Sequence, residues 1–240
     1  MQQRLGLAVQ WSRRYNDVAM MTTFDRNTGR TTATPQNVNG NWTIASNIHF
    51  TTPVLKKQKM LLSFALQPSY QNSVDLASEM GQAHPASIVR SLGADGQCKA
   101  DWNPSEHAQL SLLANARYRH ITGDRPDFAA INAADFDYGF SAIVDLPLSL
   151  QLSTSLVAYA HRGYEAQEMN TTQCIWNAEL SRTFCKGRLL AKLQGYDILH
   201  ELSTTSYAVD AQGRTETWHN AIPRYAMISL AWRFNANPKR

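Results

Sequence analysis

The chain has 240 residues, of which 18% are charged and 10% aromatic, with a formal net charge of +4. The charged share lies below the roughly 25% of ordinary soluble domains, yet no stretch reaches the ~18 consecutive apolar residues that a membrane helix needs. A helical membrane protein is excluded, and because the Lys and Arg residues are scattered rather than gathered into a run, nucleic acid is not an expected partner.

From the first residues onward the pattern is alternation at period two, the mark of a strand with one apolar and one polar face. It opens with Leu5, Leu7, Val9 and Trp11, then continues with Trp42, Ile44, Ile48 and Phe50 against Asn41, Thr43, Asn47 and His49. Met60, Leu62, Phe64 and Leu66 oppose Ser63, Gln67 and Ser69. Leu92, Ala94, Gly96, Cys98, Ala100 and Trp102 oppose Ser91, Asp95, Gln97, Lys99 and Asp101. Between Ser105 and His120 the separation is sharpest: Ala108, Leu110, Leu112, Ala114, Ala116 and Tyr118 fall on one face, and His107, Gln109, Ser111, Asn115, Arg117 and Arg119 on the other. A helix would mix the two sets.

Later segments repeat the arrangement. Leu146, Leu148, Leu150, Leu152 and Leu156 oppose Ser149, Gln151, Ser153 and Ser155, and Ala226, Ile228, Leu230, Trp232 and Phe234 alternate with Met227, Ser229, Ala231 and Arg233. Arg182 breaks the pattern by sharing parity with Trp176, Leu180 and Phe184. The expected strands cover 2–25, 40–54, 58–73, 88–103, 105–121, 134–146, 147–161, 173–185, 188–202 and 216–234.

Short joins are expected near Leu55 to Lys57, Asn103 to Ser105, Asp145 to Pro147 and Cys185 to Gly187. Long polar joins are expected over 26–40, 74–87, 122–134, 162–172 and 203–215. Short turns on one rim and long loops on the other, with strands longer than the ~9–11 residues that cross a bilayer, describe an outer-membrane barrel. The predicted fold is therefore all-β: an antiparallel up-and-down transmembrane barrel of about ten strands, or the C-terminal part of one, in a single region over 1–240. A soluble β-sandwich, carbohydrate-binding in function, would need strands of about five or six residues.

In this arrangement Asp95, Lys99, Asp101, His107, Gln109, Asn115, Arg117, Asp137, Gln151, Glu179 and Lys192 face a wet lumen. Trp42, Leu92, Trp102, Leu110, Leu112, Leu148, Leu150, Trp176, Leu230, Trp232 and Phe234 face lipid or its aromatic girdles. Asp135 and Asp137 share a face at a spacing that suits a hard cation, although two wet carboxylates are the simpler reading. No catalytic set, metal site or cofactor is expected. Cys98, Cys174 and Cys185 form no C-x-x-C pair and read as inert small residues, and Met1 to Gly6 lacks the apolar core of a signal peptide.

Six short motifs carry a resemblance: N-V-N-G-N-W at Asn37 to Trp42, H-R-G-Y at His161 to Tyr164, C-I-W-N-A-E-L-S at Cys174 to Ser181, F-C-K-G-R at Phe184 to Arg188, Y-D-I-L at Tyr196 to Leu199, and R-Y-A-M-I-S-L-A-W-R-F at Arg224 to Phe234. In order and spacing they resemble the C-terminal barrel region of outer-membrane proteins related to TonB-dependent receptors. That resemblance implies solute uptake across the outer membrane through a barrel of about 22 strands, with a plug and a TonB-binding segment that are not within these residues. It implies as partners outer-membrane lipid, the barrel-assembly machinery, the missing N-terminal barrel and plug region, and TonB through it. The closing W-R-F resembles the strand by which that machinery recognises its clients.

A self-contained ten-stranded barrel, porin-like or with a protease site on its rim, is the alternative; His120, Asp124, Asp127, Asp135 and His161 fall near the long-loop rim and would supply such a site.

Overall fold

The computed structural model describes the chain apart from residues 1–2, 26, 56–58, 80–81, 84–85, 126–127, 129, 211–212, 221 and 235–240. Alternating residues of high β propensity, separated by Gly, Pro, Asn and Asp, build long strands and no α-helix among the described residues. Ten of them form one antiparallel sheet in which each strand pairs with the next in chain order: β1 (Arg4–Arg13), β4 (Trp42–Pro53), β5 (Met60–Asp75), β8 (Ser87–Ser105), β9 (Ala108–Gly123), β10 (Ile131–Leu146), β11 (Leu150–Arg162), β12 (Thr172–Phe184), β13 (Leu189–Tyr196) and β16 (Tyr225–Trp232).

Two smaller sheets sit in the long connections. One joins β2 (Asp17–Asp25), β3 (Arg30–Val38), β6 (Ala77–Glu79) and β7 (Gln82–Ala83), and the other pairs β14 (Thr205–Asp210) with β15 (Gly213–Trp218).

Several expected boundaries move. The predicted first strand, 2–25, divides into β1 and β2 at Asn16, whose φ of 49° breaks the extended run. The predicted loop 26–40 contains β3, so β2 and β3 prolong the β1–β4 hairpin past a corner. At that corner Asn41 donates to Asp17 at 2.8 Å and accepts from the Val74 backbone at 2.8 Å, while Asn72 donates to the Gly40 carbonyl at 3.1 Å. The strand predicted over 188–202 ends at Tyr196, and the one predicted over 216–234 starts at Tyr225.

Turns fall one to three residues from where Pro and Asn suggested. Asn103, Pro104 and Ser105 belong to β8, and the turn is Glu106-His107. His107, expected on a strand face, therefore lies at the rim, its carbonyl accepting from Asp145 N at 2.7 Å. Leu148, expected on the apolar strip, sits in a single 3-10 turn over Pro147–Ser149 with φ 65°, because Pro147 cannot pair in the ladder and the chain reverses there. Cys185 and Lys186 take φ of 53° and 56° with Gly187 N bonded to Phe184 O at 3.1 Å, the handedness a tight hairpin prefers. Lys57 and its neighbours 56 and 58 lie outside the described residues.

Register fixes which side chains share a face, since directly paired residues point the same way. Leu7 pairs with Ile48, Ile48 with Leu66, Leu66 with Gly96, Gly96 with Ala116, Ala116 with Phe136, Phe136 with Ala160, and Ala160 with Thr172. That row carries one mainly apolar face from β1 to β12, and Leu180, Leu193 and Ile228, paired in turn, carry the same face on to β16. Pro68 interrupts the β4–β5 ladder, which skips Ser46 and Asn47, because Pro offers no N–H.

The packing is inverted relative to a soluble protein. Among the described residues the buried apolar ones are only Val38, Val89, Ala133, Ala158, Ala160 and Met169, and no large side chain is fully buried. On β10 the apolar Phe136, Tyr138 and Phe140 are exposed while Asp135, Asp137 and Gly139 on the other face are half-buried. The sheet does not close: β1 and β16 each have one strand neighbour, so the self-contained barrel expected as an alternative is not formed by the described residues.

Candidate functional site

Two surfaces carry the chemistry, the polar face of the sheet and its long-loop rim. The polar face holds Asp95, Lys99, Asp101, Gln109, Asn115, Arg117, Asp137, Gln151, Glu179 and Lys192 on one side, as their register partners show. The opposite face holds Trp42, Leu92, Trp102, Leu110, Leu112, Leu150, Trp176, Leu230 and Trp232; Phe234 lies just past the end of β16. Arg182 shares that face, opposite Leu150, and its guanidinium sits 4.7 Å from the Phe184 ring centre near the short-turn rim.

Charges on the polar face are largely compensated by neighbours. Lys99 pairs with Asp101 at 2.9 Å, Arg117 with Asp137 at 3.4 Å and Lys192 with Glu179 at 2.8 Å. Gln194 donates to both Glu179 and the Tyr196 hydroxyl, and Gln151 donates to Asp145 at 2.8 Å. These groups remain partly exposed, so each pair contributes little to stability.

The best-defined constellation is at the rim where β10 and β11 end. Asp135 and His161 are direct register partners, which places His161 Nδ1 at 2.7 Å from the Asp135 carboxylate. With the carboxylate as acceptor, Nδ1 is the donor of this bond, which leaves Nε2 outside it. Tyr164, from the loop that follows, donates its hydroxyl to the same carboxylate oxygen at 2.9 Å. Burial, with that bond second, pushes the Tyr164 phenol up to about 12.

The chain reaches this geometry through Gly163, whose φ of 80° and approach to Asn132 O leave no room for a Cβ. Asn170 then clasps the loop, accepting from Tyr164 N at 3.0 Å and donating to Tyr164 O at 2.8 Å, while Arg162 donates to His161 O and Thr171 O.

Of the rim residues expected from sequence, only Asp135 and His161 meet. His120 lies on the apolar face, opposite Leu92, and Asp124 is paired with Arg90. Asp127 lies outside the described residues. Asp135 and Asp137 have separate partners, His161 and Tyr164 on the first and Arg117 on the second. Among the described residues no group of three or more His, Cys, Asp and Glu is placed to hold a metal ion.

No family model, curated protein or solved structure matches this chain. Sequence reasoning missed Tyr164 and Asn170 as parts of the rim cluster; the H-R-G-Y motif, with a glycine between two hydrogen-bonding residues, was the signal that pointed there. It also missed Asp197, buried after β13, which accepts from Glu201 N and Leu202 N and whose own N–H donates to Asn177.

Proposed function

We propose that this chain forms part of the wall of an outer-membrane β-barrel, with its apolar face in the lipid and its polar face lining a hydrated passage for solute uptake. One observation carries the reading: the apolar face continues across the ten strands of the main sheet and presents large exposed apolar side chains on nine of them, Trp11, Ile44, Leu66, Leu92, Leu112, Tyr138, Trp176, Leu193 and Leu230 among them. Exposed apolar area costs about 25 cal/mol per Å² in water, so a face of this extent requires an apolar environment.

Dimensions agree. From Trp102 to Leu92 the strip runs along β8 for about ten residues, or ~33 Å at the usual rise, which at a tilt of about 40° stands ~25 Å tall, the height of the lipid-facing band in such barrels. Trp11, Trp42, Tyr70 and Tyr118 lie toward the long-loop end of this face, and Trp102, Phe184 and Trp232 toward the short-turn end. Amphipathic rings at both ends suit the two lipid–water boundaries.

The resemblance to the barrel region of TonB-dependent receptors supports uptake of a solute as the role, with the remaining wall supplied by strands beyond β1 and β16. Hydrocarbon tolerates no unpaired backbone edge. Flotation of the refolded chain with phospholipid vesicles after a carbonate wash is the expected result; a chain left in the soluble fraction overturns the reading.

The 2.7 Å contact between His161 and Asp135 favours a second reading, a hydrolase on the rim in which His161 Nε2 takes a proton from water. Peptide hydrolysis abolished by His161→Ala would support it, and no hydrolysis by the unaltered chain would end it.

A further inference from the structure

The arginines of the apolar face differ in what they touch. At the long-loop end Arg90 pairs with Asp124, and Arg162 donates to the His161 and Thr171 carbonyls and the Thr172 hydroxyl. At the short-turn end Arg182 has no carboxylate or carbonyl partner among the described residues; its guanidinium lies 4.7 Å from the Phe184 ring centre, and its Nε is shielded without an acceptor. Directly beside Arg182 are Leu150 and Ala191, with Leu180 and Leu193 one row toward the strand middles and Phe184 one row toward the rim.

The rest of this corner is basic. Lys186 lies in the β12–β13 turn, and Arg233 N donates to Arg188 O at 2.7 Å, which sets two exposed cations opposite one another past the end of the β13–β16 ladder. Like charges so placed are destabilising. Both have polar-face parity, but they stand beyond Leu189 and Trp232, the last pair of the ladder, where long side chains reach the head-group level. The acids of the adjoining strands do not offset them: Glu179 and Asp145 lie on the polar face, engaged by Lys192 and Gln151.

We propose that this corner binds an anionic phospholipid, Arg182 taking its phosphate from the lipid side, Lys186, Arg188 and Arg233 drawing the head group to the rim, and an acyl chain lying along the exposed Leu193. This rests on the membrane reading above. A cation on a lipid-facing strand is tolerated near the boundary and not at the midplane. There a guanidinium offers phosphate two parallel N–H bonds, and clustered Lys and Arg concentrate anionic lipid. Phosphatidylcholine carries the same phosphate, but its choline would set a further cation against Lys186 and Arg188, so the corner selects a head group of net negative charge.

The test uses the full chain refolded into phosphatidylcholine vesicles at low ionic strength, with a trace of phosphatidylglycerol or phosphatidylcholine bearing a nitroxide on its acyl chain. Electron spin resonance then gives the fraction of each labelled lipid held at the protein. The unaltered chain should hold phosphatidylglycerol in preference, and Arg182→Gln should lower that preference about fivefold, the worth of one cation at a charged membrane surface. Arg182→Lys, which keeps the charge and loses the planar fork, should give an intermediate value. Arg119→Gln, which removes a charge from the polar face of β9 beside Gly93 and Ala133, should change nothing. Equal retention of the two lipids, an undiminished preference in Arg182→Gln, or an equal loss in Arg119→Gln would each overturn the proposal. Displacement of the labelled lipid by soluble tetraglutamate would assign the corner to an acidic protein segment and overturn it as well. Failure of the unaltered chain to float with the vesicles would instead overturn the membrane reading, and this inference with it.

Discussion

Tyr164 reaches back from the loop after β11 to donate its hydroxyl to Asp135 on β10 at 2.9 Å, sharing that carboxylate with His161. The bond ties a nine-residue connection to the polar side of the rim and makes the loop's docking depend on the phenol's proton. Raised to about 12 in the docked state, the Tyr164 group holds its proton where a free tyrosine, near its ordinary value of 10.0, loses it.

The contribution of this bond to docking is therefore fully present below about pH 10, weakens as the undocked phenol ionises, and is lost as pH rises through about 12. Hydrogen exchange of residues 163–171 should report this window. Tyr164→Phe should lower the local opening free energy by about 1 kcal/mol near neutral pH, a hydrogen bond to a charged group discounted for partial exposure. Unchanged exchange in Tyr164→Phe would contradict the docking role.

Face asymmetry makes a second expectation. Ala116→Arg places a charge on the apolar face near the middle of β9, opposite Gly96 and Phe136, and should cost about 2–4 kcal/mol in refolding into lipid. Gln151→Arg, on the polar face beside Asp145, should cost little. Equal penalties would refute the division of faces.

Orientation follows from the rims. Glu165 lies in a long connection and Glu106 in a tight turn, both exposed. With the native cysteines replaced by Ser, Glu165→Cys should react with an impermeant thiol reagent on intact cells, and Glu106→Cys should not. Reversed labelling would invert the topology.

Gly139 lies where a Cβ would come within 2.2 Å of the Leu156 carbonyl oxygen on β11. Gly139→Val should thus force the β10–β11 pair apart, at a cost of about 1–3 kcal/mol, read as a lower denaturant midpoint. A variant as stable as the unaltered chain would show that the ladder relaxes without penalty.

Sequence made the main sheet legible because the side-chain period of a strand is two, so Leu110 to Tyr118 declare their face without help from the fold. It placed the ends less well. Asn103, Pro104 and Ser105 are residues that usually turn, yet pairing to Ala108 extends β8 past them. Leu148 kept the parity of a strand residue while a positive φ took it out of the ladder. The predicted loop at 26–40 hid β3, whose Thr-rich run pairs with β2 only once the corner at Asn41 turns the chain. At the rim, Asp135 and His161 were legible as nearby candidates, but Tyr164 joins them through the left-handed Gly163, a conformation that residue spacing does not encode.

The central claim, that the apolar face lies in hydrocarbon and the polar face in water, is tested most directly by spin labels placed one at a time from Leu110 to Tyr118 in the reconstituted chain. Collision with dissolved oxygen should peak at 110, 112, 114, 116 and 118, and collision with a water-soluble nickel chelate at 111, 113, 115 and 117, giving two profiles out of phase at period two. Profiles in phase, or equal access of the chelate to both sets, would contradict the account.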